Sequence, residues 1–375
     1  MTDPRIEQMA KVLVDYSAEI RMGDRVLIEA EPQAGPLVRA CFKRILEAGG
    51  HPHLFISLNG QTTLTGIDDL FLKYAREEQL DHPATFYQLV YENFESRIRI
   101  HSESNTKRLS DADKARLARR ERATKGVLDA QLRRGRDRSF RWVTTLFPTR
   151  AYAQDTQMSL EDFEAFVFKA CHVDDPDADP IAYWLGIEKD QQRLVEALAG
   201  KERMELRGPN CDLRFSIKGR TFVNAAGRSN MPDGEIFTGP VEDSLEGWVY
   251  FSYPSAYRGN EVEGVRLEFE EGRVARAEAD KNQAFLDQML GADEGARYVG
   301  EFAFGLNYGV DRITKNILFD EKIGGSIHMA LGAGYPETGS RNTSAIHWDL
   351  ITDMRDGGEI LVDGELVYKD GHFII

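Results

Sequence analysis

Cysteine is scarce in this chain, and no apolar run is long; each shortage removes a class of protein. The three cysteines in 375 residues, Cys41, Cys171 and Cys211, lie far apart, lack CxxC spacing and cannot all pair. That pattern predicts buried thiols in a reducing compartment, here the cytoplasm, rather than a disulfide framework or a thiolate metal cage. No segment approaches the roughly 20 apolar residues that span a bilayer. The opening MTDPRIEQMAKVLVDYSAEIRMGDR has no basic stretch followed by an apolar core, so an unexported protein without membrane contact is expected. Positive charge is also in deficit: 47 Lys and Arg against 62 Asp and Glu leave a net charge of −15, which opposes non-specific attachment to nucleic acid or anionic lipid. The GxSxG elbow of serine hydrolases is absent, and the cysteines have no evident local histidine partner. The stretch GAGYPETG lacks both GxGxxG spacing and the phosphate-loop lysine, so a nucleotide site is not expected there.

What is present divides into two textures. The segment GDRVLIEAEPQAGPLVRACFKRILEAGGHPHLFISL runs from an apolar strand at Val26 to Ala30, through an amphipathic helix around Pro36 to Glu47, to a Gly49-Gly50 stop and a second strand. That is a β-α-β unit and implies parallel strands. SRIRIHSE and FRWVTTLFP read as further strands, separated by a charged helix from about Asp111 to Arg134, and Ser159 with Asp162 resembles a cap for the helix LEDFEAFVFKAC. Residues 101 to 140 hold 12 Lys or Arg against 6 Asp or Glu. The acidic residues are interleaved and no aromatics lie between the arginines, so the basic stretch 107 to 138 reads as a solvated helix or dimer contact and not as a nucleic-acid surface.

From Arg203 the pattern changes to short alternating runs broken by Gly, Pro and Asn, with one helix near Lys281 to Leu290 and a close in GEILVDGELVYKDGHFII whose Asp363-Gly364 and Asp370-Gly371 pairs read as hairpin turns. The expected architecture is an α/β N-terminal domain with a parallel sheet, residues 1–198, followed by a β-rich α+β catalytic domain, residues 199–375.

The chemistry gathers in that second half. In TSAIHWDLI, Ile346, Trp348 and Leu350 share one face of a strand while His347 and Asp349 share the other. In YVGEFAFGLN, Glu301 opposes Phe302 and Phe304; in GGSIHMALGAGY, His328 sits between Ile327 and Met329, with Tyr335 beyond a glycine-rich bend; in NMPDGEIFTGPVEDS, Glu235 follows an Asp-Gly turn. Singly, each has a plainer reading: a core histidine oriented by a carboxylate, or an exposed turn residue. Together, three carboxylates and two imidazoles in one domain are the set that two divalent ions would need, and a pair of cations would give every buried polar atom a partner. FDEKIGG adds Glu321 and Lys322; Glu321 reads equally as a general base, as a partner of His328, or with Lys322 as a solvated loop pair.

These segments carry a resemblance. NMPDGEIFTGPVEDS, GEFAFGLN, TKNILFDEKIGGSIHMALG, YPETG and SAIHWDLI resemble, in order, the signature stretches of the thermophilic-type metallo-aminopeptidases, the aminopeptidase T and PepS family; GDRVLI, PLVRA and FPTRAYAQDTQMSLEDFEAFVFKAC are similar to that family's N-terminal domain. The resemblance implies a dinuclear site ligated by Glu235, Glu301, His328, Tyr335, His347 and Asp349, with Glu301 shared between the ions. It also implies hydrolysis of the first peptide bond of short or unfolded peptides through a metal-activated water, and a homodimer enclosing a cavity. Two divalent ions, Zn, Co or Mn, suit these oxygen and nitrogen ligands. Glu301, Tyr335 and Glu321 are the candidate catalytic residues, with Tyr335 placed either to ligate an ion or to donate to the oxyanion. The alternatives are another two-metal hydrolase, an amidase or phosphoesterase, and a non-catalytic peptide-binding protein on the same scaffold.

Overall fold

The computed structural model describes residues 3–257 and 259–375 and separates into two compact units. Residues 1–183 with 227–232 form the first, and 184–226 with 233–375 the second, the division falling within the Pro180–Leu198 helix.

In the first unit the expected β-α-β element is present. Strands Arg25–Ala30 and His51–Ile56 pair in parallel, with helix Gly35–Glu47 between them in sequence. The sheet order is His51–Ile56, Arg25–Ala30, Ser96–His101, Arg141–Leu146 and Asn230–Met231, all parallel. Its centre is polar at one point: Glu29, fully buried, meets Arg99 at 3.0 Å and Arg97 at 3.6 Å. Burial opposes ionisation of Glu29, and the two guanidinium groups outweigh it and hold the carboxyl below its usual range.

The basic helix spans Lys114–Gly135, started by Asp113, whose side chain accepts from the backbone of Ala115 and Arg116. Several of its arginines are used within the unit. Arg116 donates to the carbonyl of Leu72 at 2.7 Å, Arg120 to that of Thr63 at 2.9 Å and Arg134 to that of Tyr91 at 2.7 Å, while Arg119 pairs with Asp81 at 2.5 Å. Ser159 caps Leu160–Ala170 as expected, with its hydroxyl accepting from the Asp162 amide at 3.0 Å and donating to the Asp162 carboxylate at 2.7 Å.

The second unit is strand-rich. An eight-stranded antiparallel sheet runs in the order Arg273–Glu278, Val265–Glu270, Glu246–Phe251, Cys211–Ser216, Arg203–Gly208, Glu359–Val362, Glu365–Lys369, His372–Phe373. Both Asp-Gly turns form: Asp363 and Gly364 have φ of 52° and 83°, Asp370 and Gly371 47° and 84°, the left-handed pair that a tight hairpin needs. A five-stranded antiparallel sheet has the order His347–Asp353, Ser326–Gly332, Val299–Gly305, Glu235–Thr238, Val223–Ala225. The two sheets share one hydrophobic core, joined by ring contacts such as Phe215 to Phe302 at 5.1 Å and Phe304 to Tyr368 at 5.4 Å. From the smaller sheet the core takes Ile236, Phe302, Phe304, Ile327, Met329, Leu331, Trp348 and Leu350. These are alternate residues of four strands, so the residues between them face away from the core.

Two substitutions separate the buried ion cluster from the exposed ones. Glu29→Ala strands two guanidinium groups and is expected to destabilise the first unit by about 3–5 kcal/mol, whereas Arg119→Ala, at a partly exposed pair, is expected to cost about 1 kcal/mol or less. Denaturant unfolding of the full chain measures both.

Candidate metal centre

The face of the smaller sheet turned from the core carries Glu235, Glu301, His328, His347 and Asp349, brought into register by strand pairing. Glu301 lies opposite Ala330, which lies opposite Asp349; His328 lies opposite Ala303, Glu235 opposite Gly305, and His347 opposite Gly332. Most residues facing these side chains across a ladder are alanine or glycine, Ala330 serving two carboxylates, while His328 faces Ile351 on its other side. The charged side chains therefore converge over small neighbours. Gly305 has a second reason to lack a side chain: a Cβ there would sit 2.2 Å from the Ile323 carbonyl oxygen. That close approach brings the Glu321–Lys322 segment over the sheet.

Glu301 addresses both imidazoles. Its Oε1 lies 3.7 Å from His328 Nε2 and its Oε2 3.3 Å from His347 Nε2. His328 Nε2 is also 3.5 Å from Glu235 Oε2, and His347 Nε2 is 3.7 Å from Asp349 Oδ1. His347 Nδ1 lies 2.7 Å from the Ala333 carbonyl oxygen. A proton on Nδ1 satisfies that carbonyl, which directs the Nε2 lone pair at the carboxylates. Two groups of three have ligand atoms within 4.8 Å of one another: Glu301, His347 and Asp349, and Glu321, His328 and Asp349. Glu235 Oε2, His328 Nδ1 and Asp349 Oδ1 are buried without a hydrogen-bond partner. Buried polar atoms without partners are costly, and oxygen and nitrogen donors at this spacing are what a divalent ion takes up. The residues fit a metal.

Tyr335, at 37% exposure, sets its ring edge-on to His347 at 5.3 Å between centroids and also 5.3 Å from Phe237. Burial of the hydroxyl end and the carboxylates of Glu301 and Asp349 keep its phenol protonated, a donor. Glu321 follows the short helix Ile317–Asp320, which Asp320 anchors by accepting from the backbone and hydroxyl of Thr314, both at 2.7 Å. All the residues picked from the sequence thus lie in one cluster. Two others were not. Gln191, on the helix ending at Leu198, donates to the Glu235 carbonyl at 3.0 Å and fixes that strand from outside. Lys322, read as half of a solvated pair, is 1% exposed and lies 2.5 Å from Glu235, 2.7 Å from Glu321 and 3.5 Å from Asp233. The signal for it was the apolar run NILF before the acidic pair, which marks a segment folded inward.

Metal-free, the cluster balances its charge with protons. Burial works against charge on the imidazoles, yet the carboxylates hold His328 up at about 9 and His347 at about 10, from an ordinary 6.5. Burial resists ionisation of Glu301 too, but both imidazoles bring it down to about 2; Glu235, where burial prevails, is pushed up to about 8.

The family model of thermophilic metalloproteases (M29) matches residues 2–373. This defines a metalloprotease, an enzyme that hydrolyses peptide bonds with a divalent metal. The chain belongs to the M29 family of thermophilic metalloproteases. Aminopeptidase 2 of Geobacillus stearothermophilus is 28% identical over 418 residues, covering 98% of this chain and 95% of that protein. Aminopeptidase T of Thermus thermophilus is 27% identical over 405 residues, again covering 98% and 95%. Among solved structures, wild-type AmpT from Thermus thermophilus matches with a TM-score of 0.83 at 22% identity over 99% of each chain. The 2,5-dihydroxypyridine dioxygenase of Pseudomonas putida KT2440 matches with a TM-score of 0.56 at 13% identity, over 98% of this chain and 96% of that one. At such identities these structures show the shared fold.

The raised values give a pH prediction with a definite sign. The metal-free fold binds more protons than the unfolded chain through His328, His347 and Glu235, so their stabilisation is present in full below the unfolded values and lost as pH rises from there to the folded values of about 8 to 10. The melting temperature of metal-free protein is expected to fall across that window, and that of metal-loaded protein to fall much less. Metal uptake at pH 7 should release protons, seen as a calorimetric heat that varies with the ionisation enthalpy of the buffer.

Proposed function

We propose that the chain is a dinuclear metallo-aminopeptidase that removes the first residue of short or unfolded peptides. The observation that carries this reading is the division of Glu301, one oxygen toward His328 and the other toward His347, beside two triads that have Asp349 in common. One ion would fall to Glu301, His347 and Asp349, the other to His328 with Glu301, Asp349 and Glu235, with Glu321 beside it. Such ions, when bound, acidify a coordinated water and polarise the scissile carbonyl.

The protein groups do the rest. Glu301 holds a fixed negative charge between the imidazoles, so the two halves of the site keep their spacing. The Tyr335 phenol, protonated and at the open edge of the cluster, donates to the oxygen of the substrate carbonyl as charge develops there. Glu321, whose carboxyl burial pushes up, takes the proton from the attacking water and returns it to the leaving amine. The acidic surroundings favour a substrate's free α-ammonium and so confine cleavage to the chain end. We further place the enzyme in the cytoplasm as a homodimer whose enclosed cavity admits only short or unfolded chains, with Zn, Co or Mn as the working ion.

Elemental analysis with an assay on aminoacyl chromogenic amides, before and after chelation, tests the reading; two ions per chain and activity restored by Co, Zn or Mn are expected. Turnover of phosphate esters without turnover of the amides would redirect it to a phosphoesterase, and ligand binding without turnover to a binding protein. Glu301→Gln and His347→Ala are each expected to lower metal content and to cut kcat/KM by roughly a thousandfold, the worth of several kcal/mol. Tyr335→Phe should retain both ions and lose about 10²–10³ in kcat; loss of an ion instead would make the phenol a ligand.

A further inference from the structure

Lys322 is a lysine ammonium enclosed at the metal centre, and the way it divides the carboxylates around it gives it a task. Its Nζ lies 2.5 Å from Oε1 of Glu235 and 2.7 Å from Oε1 of Glu321. The other oxygen of Glu235, Oε2, is buried, has no hydrogen-bond partner and lies 3.5 Å from His328 Nε2. One ammonium thus occupies one oxygen of each glutamate. Glu235, which could otherwise turn freely or chelate with both oxygens, is held with a single oxygen for the ion beside His328, and Glu321 is tied to the same ammonium.

The backbone fixes the lysine as firmly as the lysine fixes the glutamates. The Lys322 amide donates to the Phe319 carbonyl, and its own carbonyl accepts from the Asn307 amide, both at 3.0 Å. The next residue passes over Gly305 at a distance no Cβ would allow. A buried lysine in a solvent-free setting is expensive unless acidic partners are close, and Glu235, Glu321 and Asp233 stand around the ammonium.

We propose that Lys322 is a positioning residue of the metal centre, a built-in cation that orients Glu235 and Glu321 toward the ion beside His328 and leaves the ion beside His347 unaffected. The inference rests on the two-ion reading above. It concerns only one of the two ions because the ammonium pairs with Glu235, Glu321 and Asp233 and not with Glu301, His347 or Asp349. Donors that orient a ligand carboxylate typically contribute 10- to 100-fold in metal affinity.

The test uses full-length metal-free protein titrated with Co²⁺, comparing wild type, Lys322→Met and Lys322→Arg by competition with a chromophoric chelator, by ions retained per chain and by visible Co²⁺ absorption. Wild type is expected to take up two ions. Lys322→Met should keep one at wild-type affinity, bind the other about 10- to 100-fold more weakly and lose the part of the absorption that the second ion contributes. Lys322→Arg should restore much of both. If Lys322→Met does not fold, Lys322→Gln replaces it with the same split expected. A variant that binds both ions as wild type does, binds the second more tightly, or weakens both equally overturns the assignment. A wild type that takes up fewer than two ions overturns the dinuclear reading and the role of Lys322 with it, which separates the two failures.

Discussion

A folded chain that turns several carboxylates and two imidazoles onto one buried face of a sheet must supply opposite charge to that face. Everything local to the centre follows from this. Without metal the compensation is made with protons, on His328, His347 and Glu235, and with the ammonium of Lys322. Under the proposed reading, bound metal would take the place of those protons, while Lys322 would keep the oxygens it already contacts. The buried site is thus a place where binding metal, releasing protons and stabilising the fold are one process.

The opposite face of the same strands explains why the arrangement survives. Phe302, Phe304, Ile327, Met329, Leu331, Trp348 and Leu350 are part of the hydrophobic core that the two sheets share. Turning any of these strands to relieve the charged face would expose that core. The scaffold itself does not dictate the chemistry: a dioxygenase shares the fold at a TM-score of 0.56. Function is therefore argued from the donor residues on the sheet and not from the architecture.

Much of this was legible in the sequence, for a physical reason. Period-two alternation assigns faces without any knowledge of the fold, so Glu301 among phenylalanines, His328 between Ile327 and Met329, and His347 with Asp349 declared themselves as polar groups on strands with an apolar reverse. Glu235 was flagged by the turn before it. The β-α-β element, the Ser159 cap and the two Asp-Gly hairpins were readable because each depends on neighbours in the chain. What escaped lacks that local signature. Lys322 lies in a turn, where no periodicity says which way a side chain points and only the apolar run before it marks the segment as folded inward. The Ala333 carbonyl that orients His347 is backbone, and Gln191 looks like any polar residue of a surface helix. The two-residue strand Asn230–Met231, which joins the parallel sheet beside Arg141–Leu146, is too short to show a pattern.

The row Glu301–Ala330–Asp349 carries one more implication. Its two carboxylates are held apart by two hydrogen-bonded strand steps, each about 4.8 Å, with only a methyl group between them. The sheet therefore works as a ruler, and the spacing of these two carboxylates is inherited from backbone pairing rather than from the conformation of any loop. Connections at the strand ends can lengthen, shorten or change sequence while that gauge stays constant. A slip of a single position in the ladder between Ser326–Gly332 and His347–Asp353, by contrast, would exchange His347 for Trp348 and erase the centre at a stroke.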